Sequence, residues 1–249
     1  MKKIEFIHDA SFSPTLEPVP ASSVVPQWYR DGEMFIHKHT QLKDPENEED
    51  RVAGMRACMP FFDALMSGYM LRTWWDVEIT KNTDDVVEFQ YIEQNVDGVW
   101  VKTPEDKNMI KERHGDIGHT LPRPAGHSNN HMVWQGKWGV RLPKGWSLIY
   151  THPLNQFQLP FTSSSAILDS DRFVAHGNLP FFLKEGWVGI IPKGTPIIQL
   201  IPVKRSVWVG IFKTIRDVES EHFAKAARSV AYGFYRSVLW TPKKFSIKK

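Results

Sequence analysis

Residues 186–205 read GWVGIIPKGTPIIQLIPVKR. Two β-branched runs, Val188–Ile191 and Ile197–Val203, flank a Pro-Lys-Gly-Thr-Pro turn. Pro192 and Pro196 bracket Gly194, which excludes a helix and favours a tight connection between strands. The local pattern therefore predicts a β-hairpin. A second Pro-Lys-Gly turn stands upstream at Pro143-Lys144-Gly145, and the carboxylates Asp169 and Asp171 lie between the two. A fold in which short strands are punctuated by such turns is mainly β.

The rest of the chain extends that reading. Strand-like alternation marks residues 3–8, the stretch LRTWWDVEIT (71–80), Asp85–Gln94 and Val96–Lys102, the last with a hairpin signal at Asp97-Gly98. LRTWWDVEIT reads as one strand with Trp74 and Trp75 on opposite faces. From Met132 to Phe212 short strands recur with regularly spaced turn residues, the pattern of a sandwich or barrel. Residues 1–50 read as an extended N-terminal arm and loop, with Pro14, Pro18, Pro20 and Pro26 holding the arm open. Residues 51–213 form the expected β domain, interrupted by a Lys-, Glu-, His- and Gly-rich excursion over 103–130. Residues 214–249 read as a helix and a basic tail. In Asp217–Leu239, Phe223, Ala226, Ala227, Val230, Phe234 and Val238 recur at helical spacing, and Thr241-Pro242 ends the helix.

Bulk properties narrow the function classes. At 249 residues and 28.8 kDa the chain can bury one substantial core, and its mean hydropathy of −0.36 suits a globular protein. A net charge of +3 with no basic stripe argues against nucleic acid as a partner. One cysteine, Cys58, rules out an intrachain disulfide and fits a reducing compartment. No apolar run reaches a membrane span and MKKIEFIHDA has no signal core, so the expected location is the cytoplasm, with no membrane partner. Ten tryptophans suit either an aromatic β core or subunit contacts, so a homo-oligomer is expected alongside a possible small-molecule or nucleotide ligand.

Four segments, in order, resemble the dUTPase/dCTP deaminase superfamily: Met66–Thr80 (MSGYMLRTWWDVEIT), Leu142–Asn155 (LPKGWSLIYTHPLN), Ala166–Asp171 (AILDSD) and Lys193–Pro202 (KGTPIIQLIP). Gly145 and Asp169 are 24 positions apart and Asp169 and Gly194 are 25 apart, close to the family's intervals. The resemblance implies a dUTPase-like β-barrel or sandwich with a Pro-rich N-terminal arm and one C-terminal α-helix. It does not imply the activity. The family's first-motif Asp falls at Met70, and its phosphate-gripping Arg-Ser pair falls near His152–Leu154. The sugar-stacking aromatic falls at Arg172, or at Phe173 with a slip of one. Only the nucleophile-activating Asp persists, as Asp169, and a triphosphate without its cationic clamp loses most of its electrostatic stabilisation. The arm PVPASSVVPQWYRD, the entry PFFDALMSGY and the terminal WTPKKF also resemble a family of tailed-bacteriophage and bacterial proteins to which no activity attaches. That likeness implies phage origin, and with it the host cytoplasm or the virion.

The candidate chemistry follows. Asp169 and Asp171 would share a face on a strand and could hold a divalent metal or act as a general base; in a turn they would bond to backbone instead. His152 is the third catalytic candidate, with Arg72, Arg141, Arg172 and Phe173 as ligand-binding candidates. His114-x-Asp116 with the distant His176 resembles the facial triad of iron/2-oxoglutarate oxygenases. His127 and His131, Ser163 to Ser165 and Cys58 carry weaker signals, without the helix or nucleophile elbow their chemistries need. Three readings result: a non-hydrolytic binding or assembly protein with no resident cofactor, a nucleotide-acting enzyme built on Asp169, and an iron oxygenase.

Overall fold

A computed structural model describes residues 2–8, 16–37, 51–82, 87–103, 109–112, 121–174, 176–214, 218–222, 224 and 235–243. In chain order the elements begin with β1 (Glu5–His8), β2 (Val19–Pro20), α1 (Gln27–Asp31), β3 (Phe35–His37), β4 (Arg51–Ala53) and α2 (Met59–Met66). Then come β5 (Tyr69–Arg72), β6 (Asp76–Lys81), β7 (Val87–Gln94), β8 (Trp100–Lys102), β9 (Ile110–Glu112) and β10 (His127–Gln135). The last strands are β11 (Trp138–Arg141), β12 (Trp146–Thr151), β13 (Phe161–Ser163), β14 (Ala166–Leu168), β15 (Asn178–Lys184), β16 (Gly189–Ile191) and β17 (Pro196–Lys204). Strand outweighs helix, 40% against 15%, so the expectation of a mainly β chain holds.

The chain forms two compact units. The first comprises Met1–Pro20 and Gly68–Arg205, the second Ala21–Ser67 and Ser206–Lys249. In the first unit, three larger sheets run β13-β15-β10-β9, β14-β12-β17-β5-β2 and β16-β6-β7-β8, with β1 paired to β11. All are open; no described strand order closes into a barrel.

The predicted hairpin at 186–205 is corrected by the pairing. The turn exists: Gly194 has φ +89° and Thr195 N–H donates to Pro192 O at 3.1 Å. Its two arms nevertheless do not pair with each other. β16 pairs with β6, whereas β17 lies between β12 and β5. LRTWWDVEIT is corrected in the same way, for it is two strands, β5 and β6, in different sheets. The physical reason is a shared corner. Thr73 N–H donates to Thr195 O (2.9 Å) and Gly194 N–H donates to Thr73 O (2.8 Å). The Thr73 hydroxyl donates to Pro192 O (2.7 Å) and accepts from Thr195 N–H (3.0 Å). Lys193 N–H adds a bond to Asp76 Oδ1 at 2.8 Å. An antiparallel pair thus leaves one sheet, bends at Thr73 and Gly194, and enters the next with its hydrogen bonds unbroken.

The core of this unit lies around β17, whose Ile197, Ile198, Gln199 and Leu200 are all buried because neighbours cover both faces. Trp134 of β10 stacks on Phe181 of β15 with ring centroids 3.9 Å apart, and Phe161 of β13 meets both edge-on. The Trp134 indole donates to Ser163 Oγ (3.2 Å), which donates to Ile197 O (2.8 Å). A buried indole needs such a partner, and here it links two sheets. Tyr91 of β7 plays a similar part: its hydroxyl accepts from Met109 and Ile110 N–H at 2.9 and 2.7 Å, and its carbonyl accepts from Thr103 N–H at 3.0 Å. It therefore fixes the chain on either side of residues 104–108. Within the span expected to be an excursion, Ile110–Glu112 and the start of β10 are strands.

The second unit holds two helices that the sequence reading lacks. α1 begins directly after Pro26, and α2 carries Pro60 in its first turn, where its missing N–H costs nothing. Tyr29 stacks against Phe61 and Phe62. Asp63 accepts from the Trp240 indole and from Lys243. Of the expected C-terminal helix, residues 218–222 and 224 are helical and Tyr235–Leu239 form a π turn; Phe223, Ala226, Ala227, Val230 and Phe234 lie outside the described residues.

Gly68 opens β5 at φ +69°, and a Cβ there would stand 1.9 Å from Leu200 O. Gly145 also has a left-handed φ, +84°, but open space around it. Gly68→Ala is therefore expected to destabilise by about 3 kcal/mol or more, and Gly145→Ala by only about 1–2 kcal/mol. Chemical denaturation of the two variants checks the ranking.

Candidate functional site

Among the described residues, the one cluster of charged candidates forms where β12 begins and β14 and β17 end. The register pairs Trp146 with Lys204, so the Pro143-Lys144-Gly145 turn comes beside Arg205, whose N–H donates to Gly145 O at 2.9 Å. Across β12, Leu148 pairs with Leu168, so the chain leaving β14 turns back at Asp169–Arg172 next to the same place. Leu142 N–H donates to Ser170 O (3.1 Å) and Gly145 N–H to Asp171 Oδ2 (2.7 Å), stitching the two turns together.

Asp169 and Asp171 thus lie in a turn, and both are occupied. Ser147 Oγ donates to Asp169 Oδ1 at 2.7 Å. Arg205 Nη1 lies 2.9 Å from Asp169 Oδ1 and 2.9 Å from Asp171 Oδ1, while Nη2 bonds Asp171 Oδ2. The Asp171 side chain is 3% exposed and that of Asp169 52%. Hydrogen bonds from Arg205 and from Gly145 N–H pull the Asp171 carboxyl down to about 2. The Ser147 hydroxyl first, and Arg205 after it, hold Asp169 below its usual value. Bonds to Asp171 raise Arg205 in turn. A carboxylate stabilised in this way is a poor proton acceptor near neutral pH; both oxygens of Asp171 are bonded, whereas Asp169 is bonded through Oδ1. The cluster is an Asp-Arg-Asp brace between two turns.

The other candidates do not converge on it. His152 follows β12 at the opposite end from Trp146, roughly 20 Å along the strand. It accepts a 3.3 Å bond from Ser163 N–H on Nδ1, which places its proton on Nε2, and it meets Phe161 edge-on. Burial lowers it to about 4, against a hydrogen bond to the Gln156 backbone that opposes the shift. Arg72 pairs with Pro196 at the far end of β17 and donates to Glu17 O at 3.2 Å; burial lowers its pKa. Arg141 forms a surface pair with Glu5 at 3.2 Å. Arg172 and Phe173 are exposed beyond the brace, their N–H groups donating to Asp169 O.

Of the oxygenase set, His114 and Asp116 lie outside the described residues, and His176 is exposed near Gly139. No group of three metal-ligating side chains occurs among the described residues. His127 bonds Ala125 O and Thr162 Oγ1, each at 2.9 Å, while His131 stacks on Phe182. Ser163 is committed to the core, Ser165 bonds Thr151, and Cys58 is a half-buried free thiol. No described helix is long and apolar enough to cross a membrane.

The residues that sequence reasoning missed are Arg205 and Ser147. Their signal is the final Arg of IPVKR, but it acquires meaning only once the β12/β17 register is known. No protein-family model matches the chain, and no curated protein matches it.

Two measurements follow. In Arg205→Met, the Asp171 carboxyl is expected to titrate well above the value of about 2 that it has beside the guanidinium, as read by carboxyl carbon shifts in NMR; an unchanged titration would contradict the brace. His152 is protonated more readily in the unfolded chain, since its folded pKa of about 4 lies below the ordinary 6.5. Its contribution is present above pH 6.5 and is lost as pH falls toward 4, where the loss reaches about 3 kcal/mol. His152→Gln should flatten the stability profile in that window, as measured by urea unfolding at several pH values.

Proposed function

We propose that the chain is a non-hydrolytic binding or assembly protein on a dUTPase-like fold, of phage origin, that works as a homo-oligomer. The observation that carries this reading is the state of Asp169. It is the one member of the family's catalytic set that persists in sequence, and Arg205 and Ser147 already bond its Oδ1 and hold its pKa down. Two further facts support it. Met70, at the position of the family's metal-holding Asp, is 1% exposed in the interior of β5. His152, at the phosphate-gripping position, is neutral at physiological pH and faces backbone groups. A triphosphate would find neither a metal carboxylate nor a cationic clamp at these positions. The four motif segments persist as framework, which fits a fold retained for its surfaces after its reaction was lost.

The test has two arms. Light scattering of the purified chain is expected to give a multiple of 28.8 kDa, and a strict monomer contradicts the assembly reading. Incubation with a panel of nucleoside triphosphates and divalent metals is expected to yield no product. Turnover that Asp169→Asn abolishes without lowering the melting temperature would replace this reading with an enzyme built on Asp169.

A further inference from the structure

Directly after Arg205 the chain runs Ser206-Val-Trp-Val-Gly-Ile-Phe-Lys213 in an extended form. Val207, Trp208, Val209, Ile211 and Phe212 are 96%, 89%, 82%, 76% and 99% exposed. Among the described residues the backbone of this stretch makes no hydrogen bond. The composition is that of a buried strand: β-branched and aromatic side chains without an interior charge or proline. Two aromatics and three aliphatic side chains present on the order of 700 Å² of apolar surface, beyond what a soluble monomer usually leaves in contact with water. It is also close to the ~800 Å² that each partner buries in a standard interface.

The same chain offers a matching receptor. Among the described residues β8 is an edge strand, paired only with β7; Val99 just before it and its own Trp100 and Val101 are 58%, 42% and 37% exposed. A sheet edge of this kind has a free row of N–H and C=O groups and apolar side chains beside them. Glu93 and Asp97 stand exposed next to it, against the one exposed lysine of β8 itself, Lys102, whereas the extended stretch is bracketed by exposed Lys204 and Lys213. The charges are complementary. A second copy would supply the edge that the first copy's stretch lacks, and reciprocal exchange closes the assembly without leaving either half open.

We propose that residues 206–213 are a docking strand that adds to the free edge of β8 in a second copy of this chain. The proposal rests on the assembly reading above and names the surfaces that carry it. The test is light scattering on the full chain, on the paired substitution Trp208→Asp with Ile211→Asp, and on Trp100→Glu. Both altered sites are on the surface, and circular dichroism verifies that the fold is kept. The unaltered chain is expected to assemble and both variants to fall to 28.8 kDa. Mixing the two variants should restore a two-copy species, because each keeps the half that the other has lost. Hydrogen exchange over 206–213 should be at least tenfold slower in the unaltered chain than in Trp100→Glu. If the Trp208/Ile211 variant assembles like the unaltered chain, the docking strand is wrong while the assembly reading stands. If only Trp100→Glu still assembles, β8 is not the receptor and the proposal falls. A monomeric unaltered chain, including one that binds lipid vesicles through this stretch, overturns both.

Discussion

The β unit depends on one buried threonine. Thr73 is fully buried and uses its N–H, its carbonyl and its hydroxyl to hold the Pro192–Thr195 turn. At this point two neighbouring strands leave one sheet for another at once. Without the bond set little in LRTWWDVEIT separates β5 from β6, since neither glycine nor proline interrupts it. Bending a strand pair exposes backbone groups that must find partners. Here each strand supplies the partners of the other, so the sheet containing β6 and the sheet containing β17 share a corner and close over one core.

The charged cluster is a smaller version of the same device. Arg205 directly follows β17, and its guanidinium gathers two carboxylates from the turn after β14 and a hydroxyl from β12. A carboxylate pair in a turn would repel itself and leave the end of the sheet open. With the arginine between them, the two acids become a fastening. In that role Asp171 is bonded through both oxygens and Asp169 through Oδ1. Elsewhere on the surface, apolar groups stand without cover at Val207–Phe212 and at Val99–Val101.

Much of this was legible in the sequence, and what was hidden has a common cause. The mainly β character, the β7–β8 hairpin around Gly98 and the turn at Pro192–Thr195 follow from side chains and their immediate neighbours. Asn95 Oδ1 accepting from Asp97 and Val99 N–H is the sort of local bond that the Asn-x-Asp-Gly signal encodes. Strand partners are another matter. The turn in PKGTP is set locally, but whether its arms pair is decided by Thr73, 119 positions upstream of Pro192. The role of Asp169 and Asp171 was ambiguous for the same reason, because Arg205 reaches them only through the β12/β17 register. α1 and α2 escaped notice because five and eight residues give too few turns for a helical period to stand out.

The corner at Thr73 is tested most directly by native-state hydrogen exchange at single amides. If this bond set holds the sheets together, the amides of Thr73, Gly194 and Thr195 should exchange only when the whole β unit unfolds, with the same free energy and denaturant dependence as core amides such as Leu148 and Leu200. Exchange of those three amides through a local opening, insensitive to denaturant while the core stays protected, would contradict the account.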